Sequence, residues 1–163
     1  MKVIVMGVTS TGKSLTGAML AEALGGRFVD GDDLHPEANR AKMARGTPLT
    51  DADRWPWLDA IGAEMARAEG PVVVACSALK AAYRRRIEAA AGAVAFVHLH
   101  GPKAVIAARM AAREGHFMPV SLLDSQLETL EMPGPDECAR TFDLREPPEV
   151  IVRQAAAWVR TVG

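Results

Sequence analysis

The stretch that most constrains this chain is Gly7-Val8-Thr9-Ser10-Thr11-Gly12-Lys13-Ser14, which follows the apolar run Val3-Ile4-Val5-Met6 and leads into a helical pattern from Leu15 to Leu24. This is G-x-x-x-x-G-K-[ST] in the setting the motif needs: a buried strand, a tight loop, then a helix. Its chemistry is anion binding. Successive loop N–H groups and the helix N-terminus point inward at a phosphate chain, Lys13 reaches the β and γ oxygens as a point charge, and the Ser14 hydroxyl is placed to ligate Mg²⁺. Residues 7–14, with Leu15 at the start of the helix, are the candidate nucleotide site.

At 163 residues the chain is about one domain long. Its 49% hydrophobic content, 24% charged content and net charge of −1 lack the basic excess that binding a nucleic-acid backbone requires, so no nucleic-acid partner is expected. No apolar run is long enough to span a membrane, and Met1-Lys2 passes straight into a core strand instead of a signal pattern, so no membrane association and a cytoplasmic location are expected. Cys76 and Cys138 are too few for a zinc site or disulfide framework and read as reduced and structural.

After the first helix, Gly25-Gly26 precedes a short strand, Arg27-Phe28-Val29-Asp30, which ends in Gly31-Asp32-Asp33-Leu34-His35-Pro36. In an open α/β sheet, ligands bind beyond the carboxyl ends of strands, so Asp30 and Asp32 should face the same crevice as the phosphate loop. The alternative is that Asp32 or Asp33 only caps the next helix. That helix runs from Pro36 to Arg45, and Thr50-Asp51-Ala52-Asp53 opens another carrying Arg54, Trp55, Trp57, Leu58, Ile61 and Met65, whose tryptophans read as packing.

Val72 to Cys76 is an apolar run of the kind a doubly covered parallel strand requires, and Ser77-Ala78-Leu79-Lys80 stands at its carboxyl end. The helix Ala81 to Ala91 carries Arg84, Arg85 and Arg86, either a solvated face or part of the phosphate site. Val94 to His100 is a fourth strand; His98 and His100 share one face, compatible with a metal or with polar strand ends. A helix from Lys103 to Arg113 is interrupted at Gly115 to Pro119, and helical spacing resumes from Ser121 to Leu130, the place for a small helical lid at about 113–134, of which the stretch from Arg113 to Gln126 is expected to bury little surface by itself. Cys138 to Leu144 is the fifth strand and Pro147-Pro148 start the last helix. The alternation predicts a single α/β domain over 1–163, a three-layer, five-stranded parallel sheet with helices on both faces.

The chain resembles the small ATP-dependent gluconokinases, relatives of shikimate kinase and the nucleoside monophosphate kinases. The likeness rests on Asp30 to Pro36, Asn39 with Lys42-Met43, Gly46 to Asp51, Asp53 to Leu58, Cys76 to Lys80 with Tyr83-Arg84, and Gly115-His116-Phe117 followed by Gln126 and Leu130-Glu131. It implies transfer of the γ-phosphoryl of ATP to the 6-hydroxyl of D-gluconate, with Mg²⁺, in a homodimer. The family commonly reads Ser-Gly-Ser where this chain has Thr9-Ser10-Thr11, and Thr in place of Leu15, so Ser10 brings a Cβ to a position glycine would occupy with positive φ.

Phosphoryl transfer needs cations around the moving oxygens and one carboxylate to take the alcohol's proton. With the resemblance, this assigns Asp32 as base, Lys13 to the β/γ oxygens, and Arg113 with Arg109 to the nucleotide phosphates. Arg54, Lys80, Arg84, His35 and His116 are carried over from the matching motifs as gluconate contacts. No apolar strand after the third ends in Asp, so Mg²⁺ is expected on Ser14, the phosphates, water and Asp30.

Overall fold

A computed structural model of the chain describes residues 1–113 and 120–163. Its elements in order are β1 (Lys2–Met6), α1 (Lys13–Ala23), β2 (Arg27–Asp30), a 3₁₀ turn (Gly31–Leu34), α2 (Glu37–Ala44), α3 (Asp51–Ala66), β3 (Val72–Ala75), α4 (Ala81–Ala91), β4 (Ala95–His100), α5 (Lys103–Ala112), α6 (Val120–Thr129), β5 (Ala139–Asp143) and α7 (Pro148–Val162). The strands form one sheet in the order β2-β3-β1-β4-β5, every pair parallel. This is the α/β architecture the sequence predicts.

The unbroken apolar runs of β1 and β3 follow from their central places, where both faces are covered. Alternate residues feed opposite layers. Ile4, Met6, Val72, Val74 and Phe96 pack against Trp57, Leu58, Ile61 and Met65 of α3 and Ile87 of α4. Val3, Val5, Val73, Val97 and Leu99 pack against Leu20 of α1 and Ile151, Ala155 and Val159 of α7. Because β3 and β4 flank β1, the chain's crossovers diverge on either side of it, and the crevice at such a switch point opens at the strand's carboxyl end. The phosphate loop leaves β1 there.

α1 begins at Lys13 and not at Leu15, because Gly12 (φ 89°) occupies the N-cap and places Lys13 and Ser14 in the first turn. α3 is opened by a full capping box: Thr50 Oγ1 accepts from Asp53 N at 3.1 Å, and Asp53 Oδ2 accepts from Thr50 N at 2.8 Å. Of the lid expected at about 113–134, Gly115, His116 and Pro119 lie outside the described residues; in α6, Leu123 is fully buried with Val8, Leu79, Ile106, Met110 and Leu144 over the carboxyl edge of the sheet.

His98 and His100 stack at 5.2 Å, and Thr141 Oγ1 lies 3.3 Å from His98 Nδ1. Among the described residues no group of three or more His, Cys, Asp or Glu is placed to hold a metal ion. Cys76 is buried, its thiol pushed up to about 12 by desolvation, while Cys138 is exposed. No helix among the described residues is long and apolar enough to cross a membrane.

Burial, with the neighbouring His100 and the Arg84 charge, lowers the His98 pKa to about 4; burial, with Arg40 and Arg54, lowers His35 to about 4 as well. The unfolded chain therefore takes up protons near pH 6.5 that the fold refuses until about pH 4, so stability falls as pH drops through that window. The urea midpoint should decline between pH 7 and pH 5, and His98→Leu should flatten the decline while leaving the His35 share in place.

Candidate active site

Three positive φ values shape the loop after β1: Gly7 (149°), Ser10 (63°) and Gly12 (89°). At Gly7 a Cβ would sit 2.7 Å from the Leu99 carbonyl oxygen, so no side chain fits, and its N–H donates to Ser77 O at 3.2 Å. Ser10 is a serine in the left-handed region, at a cost of order 1–2 kcal/mol. Its hydroxyl is 3.4 Å from Arg113 Nη1 and 3.4 Å from Thr9 Oγ1.

The Val8 carbonyl accepts from Thr11 Oγ1 at 3.0 Å and from Lys13 Nζ at 2.9 Å, while the Val8 side chain is buried in the small cluster under α5 and α6. Lys13 is half-buried, and desolvation lowers its pKa to about 8. Thr9, Ser10, Gly12, Lys13, Ser14, Leu15, Asp32, Arg109 and Arg113 line one cleft of about 600 Å³. The loop, its lysine, Arg109 and Arg113 at the end of α5 and one acidic residue are thus brought together. Arg109 also donates to Leu144 O at 2.6 Å, which fixes its guanidinium at the rim.

The acidic turn after β2 is built by three contacts. Asp30 Oδ1 accepts from Asp32 N at 3.0 Å and caps the 3₁₀ turn, Asp30 Oδ2 lies 3.4 Å from Ser14 Oγ, and Trp57 Nε1 donates to Gly31 O at 2.8 Å. α2 has Pro36 at its N-cap and no side-chain cap, so the alternative in which Asp32 or Asp33 caps it does not hold; the side-chain cap here is that of Asp30 on the 3₁₀ turn. Desolvation in the cleft and the adjacent Asp30 charge push the Asp32 carboxyl up.

His35 stacks on Trp57 with ring centroids 4.0 Å apart and an interplanar angle of 14°. Asn39 Nδ2 stands 3.2 Å from Nδ1 and is anchored to Asp53 O, so its donor assigns the His35 proton to Nε2. Nearby, Asp51 gathers the other acceptor-side candidates. It accepts from Tyr83 Oη at 2.5 Å and from Lys80 Nζ at 3.3 Å, and lies 3.6 Å from Arg54 Nη1; Arg54 also donates to Leu49 O at 3.0 Å. The two cations and one carboxylate leave this cluster one positive charge in excess.

Arg84 is corrected from substrate contact to structural tie. Its side chain is fully buried and all five of its N–H donors are committed: Nε and Nη2 to Glu137, Nη1 to Ala78 O and Leu79 O, Nη2 also to Glu131 O. It staples the β3–α4 loop to the segment beyond α6. Periodicity holds the signal, since Arg84 shares a helical face with Ile87 and Ala91. Sequence reasoning also gives no role to Gln126, whose Oε1 accepts from Thr9 N at 2.7 Å. The described cleft says nothing of His116, which lies outside the described residues.

A parallel sheet with a phosphate loop at its switch point, facing an acidic turn and two arginines, defines a kinase of the phosphate-loop class. Residues 3–133 match the family model described as an AAA domain. The chain is 45% identical over 154 residues to a gluconokinase of Gluconobacter oxydans, covering 93% of this chain and 86% of the relative, and 44% identical over 137 residues to the thermosensitive gluconokinase of Escherichia coli, covering 82% and 73%. A solved gluconokinase from Sinorhizobium meliloti superposes with TM-score 0.89 at 51% identity over 99% of this chain and 92% of that one. Shikimate kinase from Aquifex aeolicus shares the fold at TM-score 0.64 and 15% identity. The chain belongs to the gluconokinase family.

Removing a buried, fully bonded partner strands the other charge. Arg84→Met should therefore lower stability by about 3–5 kcal/mol in denaturant titration, and the protein that remains folded should keep its acceptor KM within about twofold. A raised KM with unchanged stability would return Arg84 to the substrate site.

Proposed function

We propose that this chain transfers the γ-phosphoryl of ATP to the 6-hydroxyl of D-gluconate, giving 6-phospho-D-gluconate and ADP. The observation that carries this reading is that Asp32, with its raised pKa, opens into the same cleft as Lys13 and the loop. A carboxylate whose pKa is raised takes up the alcohol's proton more readily as the C6 oxygen bonds to the γ-phosphorus and the bond to the ADP oxygen breaks. Lys13 and Arg113 stand where charge spreads over the transferring oxygens, Arg109 holds the nucleotide, and Thr9, Ser10, Gly12 and Ser14 offer loop donors.

For the acceptor, Arg54 and Lys80 meet the sugar-acid carboxylate. Their excess of one positive charge after pairing with Asp51 suits a monoanion. Neutral His35 offers its Nε2–H to a hydroxyl, and His116 is assigned to the same acceptor from its motif.

Mg²⁺ fits Ser14 and Asp30: both are hard oxygen donors, 3.4 Å apart, and a pair of them suits an ion that keeps water and phosphate as its other ligands. Held by Ser14 and Asp30, the ion would supply neutralisation of the phosphate charge. The family likeness also supports a homodimer acting in the cytoplasm, the former checked by sedimentation equilibrium.

ADP release measured with gluconate, shikimate, AMP or no acceptor should respond to gluconate alone; ATP use independent of acceptor would contradict the assignment. Lys13→Ala should cut turnover roughly 10²-fold while the fold survives, the scale of losing one preorganised transition-state donor. Asp32→Asn should depress kcat with little change in nucleotide affinity, whereas Asp30→Asn should raise the Mg²⁺ concentration needed for half-maximal rate. The reverse pattern would exchange the two roles.

A further inference from the structure

The loop's strained residue is held from outside the loop. Ser10 sits at φ 63°, and one peptide earlier, in the Val8–Thr9 unit, the Thr9 N–H donates to Gln126 Oε1, 117 residues away, at 2.7 Å. Leu123, one turn earlier on α6, is fully buried beside Val8, so the helix that carries Gln126 is anchored to the neighbour of Thr9. Arg113 Nη1 reaches Ser10 Oγ from the end of α5. The far end of α6 is tied back as well. Leu130 N donates to Gln126 O at 2.9 Å, Glu131 N to Leu79 O at 2.8 Å, and Gly7 N to Ser77 O at 3.2 Å. Loop, β3–α4 connection and α6 thus form one hydrogen-bonded circuit.

A serine at positive φ relaxes toward negative φ unless its surroundings hold it, and that relaxation rotates the two flanking peptides. The N–H groups that follow would then turn away from the anion. We infer that Gln126 is a positioning residue for nucleotide binding: its side-chain carbonyl fixes the Val8–Thr9 peptide from which the chain turns into Ser10 and so, together with Arg113 on the Ser10 hydroxyl, keeps Ser10 in the left-handed conformation in which the loop receives the phosphates. The inference rests on the reading of this cleft as the nucleotide site, and wild-type binding of ADP is the control that tests that reading separately.

The test is a double-mutant cycle read by calorimetric ADP affinity, with kcat and the KM for ATP measured alongside. Gln126→Met, similar in size but without the acceptor, should weaken ADP about tenfold and raise KM for ATP in parallel. At saturating ATP its kcat should stay within about threefold, because bound phosphates then hold the loop themselves. In a Ser10→Gly background the same change should cost less than about threefold, since glycine adopts positive φ without support. Should Gln126→Met not fold, Gln126→Asn withdraws the carbonyl by one methylene and should show the same tenfold loss. Wild-type ADP affinity in either variant, or an equal loss with and without the Ser10→Gly change, would overturn the inference.

Discussion

A polyphosphate is a dense negative charge, and a protein that binds it must present several donors at one point without filling that point itself. Here the constraint is met by the backbone between β1 and α1. Gly7 allows the Leu99 carbonyl to approach, Gly12 turns the chain into the helix, and Ser10 accepts a conformation serine rarely adopts. Lys13 donates to Val8 O, and desolvation already lowers its pKa to about 8. Both observations describe a cation held ready near a low-dielectric floor, where its attraction for an incoming phosphate is strengthened.

The remaining charges arrange themselves around that loop by sign. The acidic turn is fixed by Trp57 and by Asp30 capping, which leaves Asp32 free to face the cleft. Arg54 and Lys80 are neutralised in part by Asp51, and the Tyr83 hydroxyl accepts from Arg54 and donates to Asp51. Arg84 lies beneath, its charge cancelled by Glu137 and its donors spent on three carbonyls. A cation with no donor left recognises nothing; it sets the shape of the loop on which Lys80 stands.

Much of this is legible in the chain itself, and the limits have physical causes. β2 and α4 read to the residue, as Arg27–Asp30 and Ala81–Ala91, because turn chemistry and apolar periodicity agree at both ends. The phosphate loop is unmistakable since its function fixes residue types at fixed spacing. Arg84 is misplaced by sequence because the helical spacing that turns it inward with Ile87 and Ala91 does not say what its charge meets there; that depends on Glu137, distant in the chain. Asp30 takes the cap expected of its neighbours because a 3₁₀ turn, invisible to helical periodicity, intervenes before α2. Gln126 belongs to the residues that carry the family likeness, yet the chain alone attaches no role to it, and its meaning appears only when Thr9 is beside it.

The account turns on phosphoryl transfer to a primary hydroxyl of a sugar acid at the Asp32 side of the cleft. The most direct measurement is the proton-coupled ³¹P spectrum of the product formed from ATP and gluconate. A phosphate ester at C6 couples to the two protons of that carbon and should give a triplet. A doublet, the mark of a secondary ester, or inorganic phosphate alone would contradict it.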